Sequence, residues 1–296
     1  MDNGINKRQN EEISIQKLAA QKQLYKEAKR EQTLSAVFCV AVPFLLSVAE
    51  VITGKNLFLK AILALFSVLA MCISYITDKY ISAKKRRAAD IQQSFDVYVY
   101  QMPWSRGLFG NKRNCDRDVV QKSGILMKNE AKRDKLPNWY ELEYSKLSRE
   151  RGILCCQLQN VNWDTGLRKR LKIACYILSV FLSALILAMS VIMNETVIEC
   201  LIRMVFILPI LTWLAQITGE LDNDLERLNK IFQLIESEET KDMRYLQWIQ
   251  SELYEHRKKC FLVPDWFYER FQKNDEDTAH KEALQKLMKE LERGDL

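Results

Sequence analysis

The sequence predicts an all-α membrane protein: four transmembrane helices arranged as two hairpins, with a mostly helical cytoplasmic insert and a helical C-terminal tail. Three observations predict it. The chain has 296 residues with 44 Lys/Arg and 38 Asp/Glu, yet the windows 33–52, 57–77, 173–193 and 200–219 hold only Glu50, Lys60 and Arg203. Each window, at about 1.5 Å rise per residue, is long enough to cross a ~30 Å hydrocarbon core. The windows also pair: Thr53 to Asn56 separates the first two, and Asn194 to Glu199 separates the last two. Connections that short join antiparallel neighbours.

Basic flanks set the orientation. Lys17, Lys22, Lys26, Lys29 and Arg30 precede the first span; Lys79 and Lys84 to Arg87 follow the second; Arg168, Lys169, Arg170 and Lys172 precede the third. The hairpin turns hold one Lys between them, so they face outward and both termini face the cytoplasm. The flank after the fourth span is acidic and does not contribute to this assignment. Residues 1–32 lack a short apolar stretch with a small-residue cleavage site, so no signal peptide is expected.

The chain divides into a cytoplasmic helix (1–32), hairpin 1 (33–78), an insert (79–170), hairpin 2 (171–219) and a tail (220–296). The first region has no helix breaker after Gly4 and a modest stripe of Ile15, Leu18, Ala19, Tyr25 and Ala28. That stripe suits either the other cytoplasmic helices or a lipid surface. In the insert, residues 79–102 continue the second span until Pro103. The alternation Phe95, Val97, Val99 also fits a short strand. A helical run over 115–135, interrupted near Gly124, comes next. A long helix over 142–170, carrying Gly152 and Gly166, leads into span three. The tail opens on Leu221, Leu225, Leu228, Phe232 and Ile235, a heptad-like seam suited to packing within the protomer or between subunits. A helix with Met243, Leu246, Ile249 and Leu253 follows. Pro264 then opens an aromatic group of Trp266, Phe267, Tyr268 and Phe271, and 272–296 reads as a charged surface helix.

No catalytic residue and no metal ligand set stands out. There is no phosphate-cradling Gly cluster, no HExxH and no GxSxG. The two His and eight Cys show no metal-ligand spacing. Asp116 and Asp118, two apart, do not face each other on a helix. Candidate membrane residues are Glu50, Lys60, Glu199 and Arg203 at an outer pore mouth, against the plainer reading of snorkelling and i, i+4 pairing. Pro43 and Pro209 fall mid-span, as static kinks or as gating hinges. Candidate ligand residues are Arg86, Arg87, Trp104 and Arg106, since guanidinium with an aromatic ring suits a phosphorylated nucleotide. The basic run Lys84 to Arg87 also serves topology alone.

Several local patterns combine. They are Arg8-Gln9-Asn10-Glu11-Glu12, Leu18-Ala19-Ala20-Gln21, Phe95-Asp96, Pro103-Trp104, Asn138-Trp139-Tyr140, Cys156-Gln157 with Asn160, Trp163-Asp164, Leu167-Arg168, Ile249-Gln250, His256-Arg257 and Pro264-Asp265 through Tyr268. In this order around two pairs of spans, the chain resembles the SMODS-associated four-transmembrane effector family. The resemblance implies a membrane effector of a bacterial anti-phage system in the inner membrane. A partner nucleotidyltransferase would make a cyclic nucleotide, and the effector would sense it, form a homo-oligomer and permeabilise the bilayer. No cofactor is implied beyond that activating ligand. The resemblance carries over no ligand residues. Trp163, Asp164 and Arg168 suit folding of the insert onto the membrane helices, with Asp164 and Arg168 on one face, or direct ligand contact. The alternative function is a constitutive membrane-anchored scaffold or sensor that holds a cytosolic partner through its helical tail.

Overall fold

In the computed structural model the described residues are 2–42, 44–45, 57–194, 196–237 and 242–271, and all their regular structure is helical. Short α1 (Ile5–Gln9) precedes α2 (Glu12–Ala36), which continues as a π-helical stretch, Val37–Ala41. Then come α3 (Leu57–Tyr100), α4 (Arg106–Phe109), α5 (Lys112–Met127), α6 (Glu130–Arg133), a 3-10 turn (Leu142–Lys146), α7 (Arg149–Ile192), α8 (Val197–Glu236) and α9 (Met243–Lys259). A further helical turn covers 265–271. The expectations on Pro43, Glu50 and 272–296 lie outside the described residues.

Three helices are very long. At 44 residues, α3 and α7 each extend about 66 Å. Each therefore runs unbroken from an apolar window into the polar part of the chain. The helix α3 ends where expected, just before Pro103. Gln101 adopts φ 56°, and the amide of Met102 donates to the carbonyl of Val97 at 2.9 Å, a Schellman closure. Phe95, Val97 and Val99 are helical, not a strand. All three are buried because α3 is surrounded at this level. The run near 115–135 is shifted: α5 is continuous through Gly124 and stops at Met127, and Asn111 caps it by accepting from the amide of Arg113.

The principal core takes residues from both ends of the chain and from the insert. Ile5, Leu18, Phe95, Tyr100, Tyr140, Ile153, Cys156, Leu228, Ile231, Leu246 and Ile249 all belong to it. The α2 stripe packs inside the protein: Ile15, Leu18 and Ala19 belong to this core and Ala28 to a smaller cluster. The tail seam also packs within the protomer, in a shifted register: Leu221, Asp224, Leu228, Ile231 and Ile235 are buried, while Phe232 is 38% exposed. The shift has a cause, since Asp224 holds a buried slot by pairing with Arg168. The pairs α2–α3 and α7–α8 pack closely within themselves. Between the pairs, α9 touches α3, α7 and α8, and the π-helical stretch touches α8.

Gly152 is pressed against backbone. A Cβ there would stand 2.9 Å from the carbonyl oxygen of Tyr144 and 2.4 Å from Asn3 Nδ2. Asn3 itself donates to the carbonyls of Tyr144 (2.8 Å) and Leu147 (3.1 Å). Gly152→Ala is therefore expected to lower stability by about 1–3 kcal/mol, read as an earlier thermal unfolding in detergent.

Lys17 is buried between α2 and α3. Its ammonium donates to the carbonyl of Ser94 at 3.2 Å and lies 4.7 Å from the Tyr98 ring centroid. Burial, and then the charge of Lys112, pushes it down to about 8. The folded-state value lies below the unfolded one, so the penalty is full below pH 8 and fades as pH rises toward the ordinary lysine range, where the unfolded chain binds more protons. Lys17→Met should therefore stabilise the protein near neutrality, and the advantage should shrink above pH 8 in paired melting curves.

Candidate functional site

Where α3, α7 and α9 meet, the core is polar. Asp96 is fully buried. Its carboxylate accepts from Arg257 Nη1 at 2.5 Å, from the Tyr140 hydroxyl at 2.6 Å and from Gln250 Nε2 at 2.9 Å. Gln250 also donates to Gln93 Oε1 at 2.9 Å, and its oxygen accepts from Gln157 at 3.1 Å. Asn160 donates to the Tyr140 hydroxyl oxygen at 3.1 Å. Gln9 clamps the backbone of Tyr140, accepting from its amide at 2.7 Å and donating to its carbonyl at 3.0 Å. Burial, reinforced by Asp96, holds the Tyr140 phenol well above its ordinary value, so it stays a donor. Burial opposes the charge of Arg257, but Asp96 and Tyr140 outweigh it and the guanidinium stays charged. Burial also raises the Cys156 thiol, which makes it a poor nucleophile.

A second charged group lies beside the first, joined through the neighbours His256 and Arg257 on α9. Arg168 is buried and meets Asp164 at 3.0 Å and Asp224 at 2.5 Å. It also donates to the carbonyl of Phe261 at 3.0 Å. His256 Nε2 lies 2.7 Å from Asp164. Burial works against the Asp164 carboxylate, yet Arg168 and His256 hold it below the usual carboxylate range. Asp224 also pairs with Arg227 and accepts from the amide of Phe261 at 2.8 Å.

This group continues into a strap, residues 259–265, that crosses both helix pairs. From the α2–α3 pair, Lys85 donates to the carbonyls of Lys259 (3.2 Å) and Cys260 (2.9 Å). Gln32 donates to that of Leu262 at 2.8 Å, and Lys29 pairs with Asp265 at 2.7 Å. From the α7–α8 pair, Arg168 and Asp224 hold Phe261. Four helices thus converge on seven consecutive residues.

At the other end, the same helices are bare. Phe58 of α3 is 76% exposed and Val180 of α7 is 69% exposed, and Ile177, Val191, Ile198 and Leu201 are likewise open. Among the described residues, α7 is the one helix long and apolar enough to cross a membrane, and only 11% of its most apolar stretch is buried. A soluble core helix would show the reverse.

Several of the ligand candidates from sequence are engaged by neighbours of their own. Arg87 is bound to Asp118 by two hydrogen bonds, 2.7 and 2.5 Å. The Trp104 ring packs on Phe109 (5.3 Å between centroids) and its indole donates to the carbonyl of Gly110 at 2.9 Å. Arg86 and Arg106 are exposed. Trp163 packs on Tyr268, 5.9 Å between centroids, while Arg168 is occupied by its three partners. At the predicted pore mouth, Glu199 forms a capping box with Thr196, accepting from its amide at 2.7 Å. The backbone of α3 is helical at Lys60, and that of α8 is helical through Arg203 and Pro209. Spacing alone indicated the Asp164–Arg168 pair. It missed Asp224, Asp96 and Arg257 as charge partners, because these contacts join residues more than 50 positions apart.

A packed, charged junction at one end and exposed apolar helix halves at the other define the class: an all-helical protein whose long helices pass from a polar body into bare apolar stretches. Residues 3–286 match the SMODS-associating 4TM effector domain, and the chain belongs to that family. It is also 24% identical over 281 residues to a probable CBASS effector molecule of Bacillus cereus (strain VD146), covering 91% of this chain and 94% of that one. No solved structure matches.

Asp96→Ala is expected to destabilise the protein by about 3–5 kcal/mol, because Arg257 would remain buried without its carboxylate. The double variant Asp96→Leu/Arg257→Met should recover most of that loss. Chemical unfolding of the three proteins in one detergent measures both changes.

Proposed function

We propose that this chain is a membrane effector of a bacterial anti-phage system. A cyclic nucleotide, made by a partner nucleotidyltransferase, drives it to oligomerise and permeabilise the inner membrane. One observation carries the reading: α3, α7 and α8 pack tightly around buried charges at one end and expose apolar side chains along their other halves. The family supports it, and so does the probable CBASS effector among its relatives. In this reading the four apolar windows span the bilayer as two hairpins, and the basic flanks keep the polar body in the cytoplasm. The scaffold reading is less favoured, because its docking seam is used internally by Leu228, Ile231 and Ile235.

The strap fits the closed form of such an effector. Its contacts tie the α2–α3 pair to the α7–α8 pair at the level where the apolar windows begin. A ligand shifts the equilibrium only if it binds the open or assembled form better. The exposed Arg86 and Arg106 remain the candidates for its phosphates, beside Trp104.

Dye release from liposomes holding the purified protein, with a panel of cyclic di- and trinucleotides, tests the function. Release with one nucleotide is the expected result; tight vesicles with every nucleotide, from folded protein, would overturn it. Gln32→Ala removes one strap contact, worth about 1 kcal/mol, and should lower the half-maximal nucleotide concentration about fivefold.

A further inference from the structure

We propose that residues 261–271 form an interfacial anchor that seats Trp266 among the acidic phospholipid headgroups of the leaflet facing the polar body. This rests on the membrane reading above and adds a lipid-recognition surface to it. The first observation is height. Val263 and Phe267 are buried against Leu167, Leu171 and Cys175 of α7 and Leu214, Ile217 and Leu221 of α8. These positions mark the level at which α7 and α8 change from polar to apolar. Ile173, the start of the third window, is already exposed, and Trp213 of the fourth window packs on the same cluster.

The second observation is Trp266 itself. It is 70% exposed, yet its base is fixed. Its ring meets Phe267 edge-on at 5.5 Å, and Phe267 packs on Phe271 at 4.9 Å. A large amphipathic ring held outward at the polar–apolar boundary is the arrangement that headgroup regions favour. The third observation is charge. The Arg170 guanidinium lies 5.4 Å from the Phe271 ring centroid, and the Lys29 ammonium 5.6 Å from that of Tyr268. Lys169 and Arg270, next in the chain to Arg170 and Phe271, are exposed. Of the nearby carboxylates, Asp265 is paired with Lys29 and Asp222 with Lys172, and Glu269 is exposed. The exposed cations Lys169 and Arg270 complement an acidic leaflet.

The test is tryptophan quenching by phospholipids brominated high on the acyl chain, with full-length protein reconstituted in bilayers. Trp266→Phe changes an exposed ring and leaves the buried face of the segment intact. The expected result is that this variant loses a share of the wild-type quenching. In wild type, the Trp266 share should be about twofold larger when the bromine is carried by phosphatidylglycerol than by phosphatidylcholine. Lys169→Gln/Arg270→Gln should equalise the two lipids. Unchanged quenching in Trp266→Phe, with residual quenching from Trp213, would overturn the anchor and leave the membrane reading standing. The ring would then be covered by residues 272–296 or by a second copy. No quenching in either protein would overturn both. Equal quenching by the two lipids would overturn the acidic-headgroup assignment.

Discussion

Arg257 and Asp96 are both removed from water in the centre of the polar body, and neither is tolerable there without the other. Their contact therefore fixes how α9 lies against α3. The surrounding side chains follow from it. Tyr140 and Gln250 fill the remaining acceptor positions of Asp96, Asn160 and Gln157 hold those two in turn, and Gln9 ties the N-terminal helix to the same tyrosine. An apolar core made only of Leu and Ile would allow α9 several registers. A buried ion pair braced by hydrogen bonds from Tyr140 and Gln250 allows one.

The neighbouring group around Arg168 extends the same logic to α8. Two carboxylates, Asp164 and Asp224, share one guanidinium, and Arg227 and His256 meet them from the sides. Buried charges are expensive when unpaired, so a displacement of α9 or of the strap would expose several unmet partners at once. That makes the junction suited to two discrete arrangements rather than to gradual deformation. On the proposed function, which needs the protein inert until a ligand binds, an all-or-none transition is the useful property.

Much of the fold was legible because long helices write clear patterns. Pro103 marked the end of α3, and the paired apolar windows with their basic flanks marked where three helices turn bare. The i, i+4 spacing of Asp164 and Arg168 was legible as a pair. The register of α8 was not, since a buried Asp224 reads as a surface residue until its partner on α7 is known. The same limit applies to Asp96 and Arg257, which are 161 positions apart. Residues that carried the family resemblance, among them Asp96, Tyr140, Gln157, Asn160, Asp164 and Arg168, proved to be the framework of this polar junction. Composition alone likewise does not reveal that Asp118 pairs with Arg87 and that Phe109 packs on Trp104.

The strap follows both helix pairs in the chain. During synthesis, α2–α3 and α7–α8 are made before residues 259–265, so each pair takes shape before the element that joins them exists. The segment from Met243 onward then joins the two pairs into one body. An interrupted product ending before Met243 would hold every apolar window and no fastener. On the proposed function, in which freed apolar helices would breach the cell's own membrane, the completeness of translation becomes part of its safety.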